Sequence, residues 1–119
     1  MDLRFIEEPA DTQFAHTRSA ILHCRVEDRP ANITWKIARS DHVITSNITG
    51  VRYILPNGSL YFPAFTEDKF NLSVHRADYQ CVAKTPNNKF GNFEIISKVA
   101  KLRAGKLERG GLRSNNVFV

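Results

Sequence analysis

The sequence predicts an all-β fold: an immunoglobulin-like Greek-key β-sandwich with one inter-sheet disulfide. Three observations predict it. Cys24, Trp35, Tyr79 and Cys81 occur in that order, with the first Cys 11 residues before the Trp and 57 before the second Cys. In such a sandwich a disulfide joins strands B and F, a strand C Trp covers it, and a Tyr two residues before the second Cys anchors a corner. The second observation is period-two alternation around each of these residues, and the third is the turn signal Pro56-Asn57-Gly58 between two apolar runs.

The elements follow in order. Leu3 to Glu7 reads as strand A, stopped by Pro9, with a short A′ piece from Gln13 to His16. Strand B covers Ala20 to Val26, placing Ala20, Leu22, Cys24 and Val26 inward and Ile21, His23 and Arg25 outward. Pro30 breaks the B–C connection, and strand C, Ile33 to Ala38, buries Ile33, Trp35 and Ile37 while Asn32, Thr34 and Lys36 face solvent. The polar stretch from Arg39 to Gly50 holds at most one short edge strand, Val43 to Thr45. Strand D is Val51 to Ile54. Asn57-Gly58 is expected to make a two-residue hairpin turn, since both residues tolerate positive φ. Strand E, Ser59 to Phe62, points Leu60 and Phe62 inward, and Phe65 plugs the bottom of the sandwich. Thr66 to His75 crosses over with a helical turn. Strand F is Asp78 to Lys84, with Tyr79, Cys81 and Ala83 inward; Thr85 to Asn92 is the F–G loop; strand G runs from Phe93 to about Arg103. Residues 1–104 are thus expected to form one immunoglobulin-like domain of the I-set type, and 105–119 a basic, disordered tail or linker.

Composition bounds the function. No apolar run approaches the ~20 residues needed to span a bilayer, and Met1 to Glu8 lacks the apolar centre of a signal peptide. A disulfide needs the secretory route, so the chain is expected to be a mature fragment or a stretch whose leader is missing. The net charge of +5 is unevenly placed: residues 1–97 carry 11 Lys and Arg against 11 Asp and Glu. The excess comes from Lys98, Lys101, Arg103, Lys106, Arg109 and Arg113, opposed only by Glu108. A glycosaminoglycan or anionic-surface contact is one reading of this stretch, but a solvated strand face running into a disordered tail is the preferred one, and no nucleic-acid signature is present.

Four sequons, at Asn32, Asn47, Asn57 and Asn71, match the N-glycosylation pattern, where nine Asn would give about one by chance at average Ser and Thr usage. They argue for secretory exposure. Asn47 and Asn71, in expected loops, are the stronger candidates; the hairpin turn wants Asn57 in any case, and Asn32 sits close to a buried strand. None of the four His residues lies at a metal-ligand spacing with another His, Cys or carboxylate. No phosphate loop or nucleophile elbow occurs, so no cofactor, no metal and no enzymatic activity are expected, and a binding module is the default for this fold.

Many immunoglobulin modules of adhesion receptors place Asp six residues before the second Cys, paired with a strand D Arg; here His75 occupies that position although Arg52 is present. The run Val74-His75-Arg76-Ala77-Asp78-Tyr79-Gln80-Cys81, with Pro56 to Phe65, resembles the first immunoglobulin domain of the Down syndrome cell adhesion molecule (Dscam) family. Phe5-Ile6-Glu7-Glu8-Pro9 is similar to the start of the mature arthropod members, and Val51-Arg52 and Ala83-Lys84-Thr85-Pro86-Asn87 also fit; the likeness covers about residues 5–104. It implies a neuronal receptor with many immunoglobulin and fibronectin type III domains and one membrane helix, acting in homophilic adhesion for neurite self-avoidance and axon guidance. It also implies a first domain that supports its neighbours within a horseshoe of four. The expected partners are the same or a related receptor and adjoining immunoglobulin domains, with no nucleic acid and no direct membrane contact, the isolated fragment being monomeric. The expected location is extracellular, as the ectodomain of a plasma-membrane protein or secreted. The alternative is a short soluble immunoglobulin protein of innate immunity that binds microbial or anionic surfaces.

Overall fold

The computed structural model describes residues 3–27, 31–86, 93–108 and 111–112. Its strands are β1 (Phe5–Glu7), β2 (Thr12–Ala15), β3 (Ala20–Leu22), β4 (Arg25–Val26), β5 (Asn32–Ile37), β6 (Val43–Ile44), β7 (Tyr53–Ile54), β8 (Leu60–Phe62), β9 (Asp78–Lys84), β10 (Glu94–Ile96), β11 (Ala100–Gly105), β12 (Leu107–Glu108) and β13 (Gly111–Leu112). A 3-10 turn at Glu67–Lys69 and the one-turn helix α1 (Leu72–His75) connect β8 to β9. One layer has the order β2-β11-β9-β5-β6 with β10 also on β9; the other is β3-β8-β7, extended by the ribbon β1-β4. The all-β sandwich is as expected, with Cys24 bonded to Cys81 across the layers.

Strand B keeps its expected alternation but not its continuity. Ala20, Leu22 and Cys24 are buried, and Ile21, His23 and Arg25 are exposed. The ladder nevertheless splits, because Leu22 pairs with Leu60 of β8 whereas Arg25 pairs with Glu7 of β1. Pro9, fully buried and without an N–H, separates β1 from β2, so the chain leaves one layer and joins the other, where β2 runs parallel to β11. The break in strand B and the switch of strand A thus follow from pairing one chain edge with two layers.

The D–E turn differs from the two-residue expectation. The Gly58 N–H donates to the Leu55 carbonyl and the Leu55 N–H to the Ser59 carbonyl, enclosing a three-residue loop. Pro56 fixes a negative φ at the first loop position, and the positive φ falls on Gly58 alone, at 91°, rather than on Asn57. A Cβ on Gly58 would also lie 3.1 Å from Ile33 Cβ. Asn57 contributes through its side chain instead, accepting the Ser59 N–H at 2.9 Å.

Strand G is likewise interrupted. Ile96 pairs with Val82, but Ala100 pairs with Tyr79, a one-residue change of register. Ser97 fills the gap: its hydroxyl accepts the Cys81 N–H at 2.8 Å and donates to the Lys98 carbonyl, and it is 3% exposed. β11 then continues through Gly105, and the stretch expected to be a tail contains the paired segments β12 and β13. Most of the expected F–G loop and the Pro30 break lie outside the described residues. Trp35, Leu60, Phe62, Tyr79, Cys81, Ala83, Ala100, Leu102 and Ala104 are wholly buried between the layers.

Candidate functional site

The four signature residues meet at the centre of the sandwich. β5 and β9 are neighbours in one layer, so Trp35 lies beside Cys81 in register, and the bond to Cys24 crosses to the other. The Trp35 Nε1–H donates to the Gly58 carbonyl at 2.7 Å, tying the indole to the turn. Tyr79 packs on Phe62 at 5.5 Å between ring centroids, and its hydroxyl donates to the Val74 carbonyl at 2.7 Å. This fixes α1 to β9. Replacing Tyr79 by Phe is expected to cost about 1–3 kcal/mol, because the buried Val74 carbonyl loses its donor; urea unfolding of the variant checks it.

His75 sits beneath this corner in an aromatic stack. Its ring is 3.9 Å from that of Phe65 and 5.6 Å from that of Phe70, both nearly parallel to it, and it is 0% exposed. Nδ1 accepts the Asn71 N–H at 2.9 Å, so Nε2 carries the proton of the neutral ring, and it has no acceptor. Arg52, also buried, donates to the Tyr79 hydroxyl at 3.3 Å and makes no ion pair among the described residues. With His75 in the place of a carboxylate, the Arg52 charge is met by a phenol.

Burial, and then the Arg52 charge, push the His75 imidazole down to about 4. The unfolded chain, near 6.5, therefore binds more protons between those values, and stability is complete above pH 6.5 and lost as pH falls toward 4. Unfolding free energy is expected to drop by on the order of 2 kcal/mol from this group between pH 7 and 4.5. Urea midpoints at the two values check it, and a His75→Gln variant should show a smaller drop.

The sequon asparagines all lie on the described surface or its edge. Asn32, Asn47 and Asn57 are exposed and Asn71 is half-buried. Asn47 Oδ1 accepts the Ile54 N–H at 2.8 Å, capping the free edge of β7, and Asn71 Oδ1 accepts from Ser73 N and Oγ at the start of α1. Both outer sheet faces carry a cross-strand row containing large apolar or aromatic side chains. On one, Thr34, Val82 and Ile96 align across β5, β9 and β10, with Ile96 50% exposed. On the other, Ile21, Tyr61 and Tyr53 align across β3, β8 and β7, with the two Tyr rings 6.3 Å apart. Sequence alternation marks Val82, but the second row is visible only once β7 and β8 are in register. No helix is long and apolar enough to cross a membrane, and among the described residues no three His, Cys, Asp or Glu gather as metal ligands.

No protein-family model matches the chain. Cell adhesion molecule Dscam1 of Drosophila melanogaster is 32% identical over 102 residues, covering 84% of this chain and 5% of that protein. Cell adhesion molecule DSCAM of Gallus gallus is 27% identical over 86 residues, covering 71% of this chain and 4% of that protein. Among solved structures, the N-terminal four immunoglobulin domains of Dscam1 isoform 8.4 superpose with a TM-score of 0.76 at 28% identity over 90% of this chain and 26% of that one.

This chain is a Dscam-family immunoglobulin domain.

The N-terminal eight immunoglobulin domains of DSCAM isoform 1.30.30 give the same picture, with a TM-score of 0.75 and 28% identity. The Dscam-type chain spans about 5% of the length of the curated relative described first. These relatives are cell adhesion molecules rather than enzymes, and the Dscam-type fold places the residues quoted for the resemblance, His75, Arg52 and Tyr79, in one buried corner.

Proposed function

We propose that the chain is the first immunoglobulin domain, residues 1–104, of a Dscam-type receptor, and that it contributes to homophilic cell recognition in neurite self-avoidance and axon guidance. The observation that carries the reading is the 32% identity to Dscam1 over 102 residues. The oxidised Cys24–Cys81 pair fits an extracellular ectodomain. Residues 105–119 serve as the connection beyond the domain, with the β12–β13 pair at its start. Its partners are proteins, namely the same or a related receptor and adjoining immunoglobulin domains, and it touches neither nucleic acid nor membrane.

Asn47 and Asn71, outside the strands, are the sequons proposed to carry glycan, Asn47 exposed and Asn71 half-buried, with the exposed Asn32 and Asn57 on strand and turn. In this role the isolated chain supports neighbouring domains and is monomeric. Two measurements test the reading together. Cells expressing the full-length protein should aggregate with cells expressing the same protein, and sedimentation of the isolated chain should show a monomer. A full-length protein that drives no aggregation would overturn the adhesion role and leave the soluble surface-binding alternative.

A further inference from the structure

A groove of about 590 Å³ opens at the end of the sandwich where β5 ends, β9 begins and α1 packs. Four guanidinium groups line it, those of Arg39, Arg52, Arg76 and Arg103, against one carboxylate, Asp78. They come from four separate elements, so no run in the sequence announces them. Asp78 orders two of them, accepting Arg39 Nη2 on one oxygen and Arg103 Nη2 at 2.8 Å on the other. Burial alone would raise the Asp78 carboxyl, but the two guanidiniums outweigh it and hold it below the usual range. Arg103 is held further by the carbonyls of Ala77 and Leu102. Arg76 donates to the Ala104 carbonyl, and burial and the nearby Arg103 charge both depress its pKa.

The groove therefore concentrates a formal +3 in a partly desolvated concavity, with its cations pre-positioned. Arg52, deeper in the lining, is 6% exposed, forms no ion pair among the described residues, and its Nε has no acceptor. An anion in the groove relieves the repulsion between Arg76 and Arg103 and meets guanidinium forks suited to planar or tetrahedral oxyanions.

The positive charge does not stop at the groove. Lys101 and Arg103 share one face of β11, about 6.7 Å apart along the strand. Lys101 and Lys98 are exposed and extend the line in one direction, with the carboxylates of Asp11 and Glu8 accepting their backbone N–H groups rather than their ammonium groups, whereas Lys106 on the other side is paired with Glu67 at 3.5 Å. Anionic groups repeated along a chain fit such a track; a single acidic side chain does not use it. The groove lining holds no Phe, Tyr or Trp, its one ring being the His42 imidazole, which makes a poor stacking platform for a nucleic acid. We propose that this groove and the β11 track bind a sulfated glycosaminoglycan, with one sulfate or uronate seated among Arg39, Arg76 and Arg103 and the polysaccharide running along Lys101 and Lys98.

The site is independent of the adhesion reading and is tested on the isolated, oxidised chain made without glycans, so that nothing attached at Asn71 on the groove wall screens it. Calorimetric titration with a heparin decasaccharide at physiological salt should give salt-sensitive binding. The Arg39→Ala/Arg76→Ala double variant should weaken it by about tenfold or more, and Lys98→Ala/Lys101→Ala by a smaller factor. Arg4→Ala/Arg25→Ala, which removes two charges from the β1–β4 ribbon outside the groove, should change it less than about twofold. Far-ultraviolet dichroism confirms that each variant is folded, and the Lys98/Lys101 pair carries the test if the groove variant is not. No binding, or equal loss from the β1–β4 variant, overturns the proposal. So does groove-dependent binding to poly-glutamate or phosphatidylserine vesicles without binding to the decasaccharide.

Discussion

Reduction of the Cys24–Cys81 bond is expected to lower the unfolding free energy by about 4 kcal/mol. The bond closes a loop of 57 residues, and in the chain-entropy account that restriction of the unfolded ensemble is worth about this much. Small domains have only about 5–15 kcal/mol in total, so the loss is a large share. Urea unfolding with and without reductant measures it. Both half-cystines are wholly buried among Trp35, Leu22 and Leu60, so the reduced thiols remain in an apolar setting and the fold should weaken without rearranging. A midpoint unmoved by reductant would show that the pair does not constrain the chain.

Trp35→Ala should cost a similar amount, about 3–5 kcal/mol, by leaving a cavity against the disulfide. Trp35 is 0% exposed. Its loss also strands the Gly58 carbonyl, which accepts its Nε1–H. The D–E turn should therefore loosen together with the core, and hydrogen exchange at Leu55 and Gly58, whose N–H groups close that turn, should accelerate more than at Ile96 on the far edge. Trp35→Phe would keep most of the volume and is expected to lose less. Global unfolding in denaturant and exchange at the turn give two separate readings of one contact.

The elements legible in the sequence are those whose signal is local. Strand F was readable residue for residue because β9 is central in its layer and its inner face, Tyr79, Cys81 and Ala83, alternates without interruption. The edges of strands B and G were not, because their breaks are set by partners far along the chain. Nothing near Cys24 tells that Leu22 faces β8 while Arg25 faces β1. Ser97 looks like any polar strand residue until its hydroxyl is seen to replace a ladder partner for Cys81.

The D–E turn shows the same limit at shorter range. Asn57-Gly58 pointed to the right place, but Pro56 decided the loop length by fixing the position before it. The buried corner was half legible. His75 stood out for where it falls relative to Cys81, yet its stacking on Phe65, with Phe70 alongside, depends on how the crossover folds back. The arginine groove was not legible as a cluster, since Arg39, Arg52, Arg76 and Arg103 show neither periodicity nor proximity in the sequence. Charge counting drew attention to residues 98–113 instead and caught only Arg103 of the four.

The central claim is that this is an extracellular immunoglobulin module of a Dscam-type membrane receptor. Peptide mapping of the natural protein, isolated from a membrane fraction without reduction, tests it most directly. The account predicts a Cys24–Cys81 linked peptide pair, glycan mass on the peptides of Asn47 and Asn71, and flanking peptides from further immunoglobulin domains. Free thiols at both cysteines and unmodified asparagines at all four sequons would contradict it.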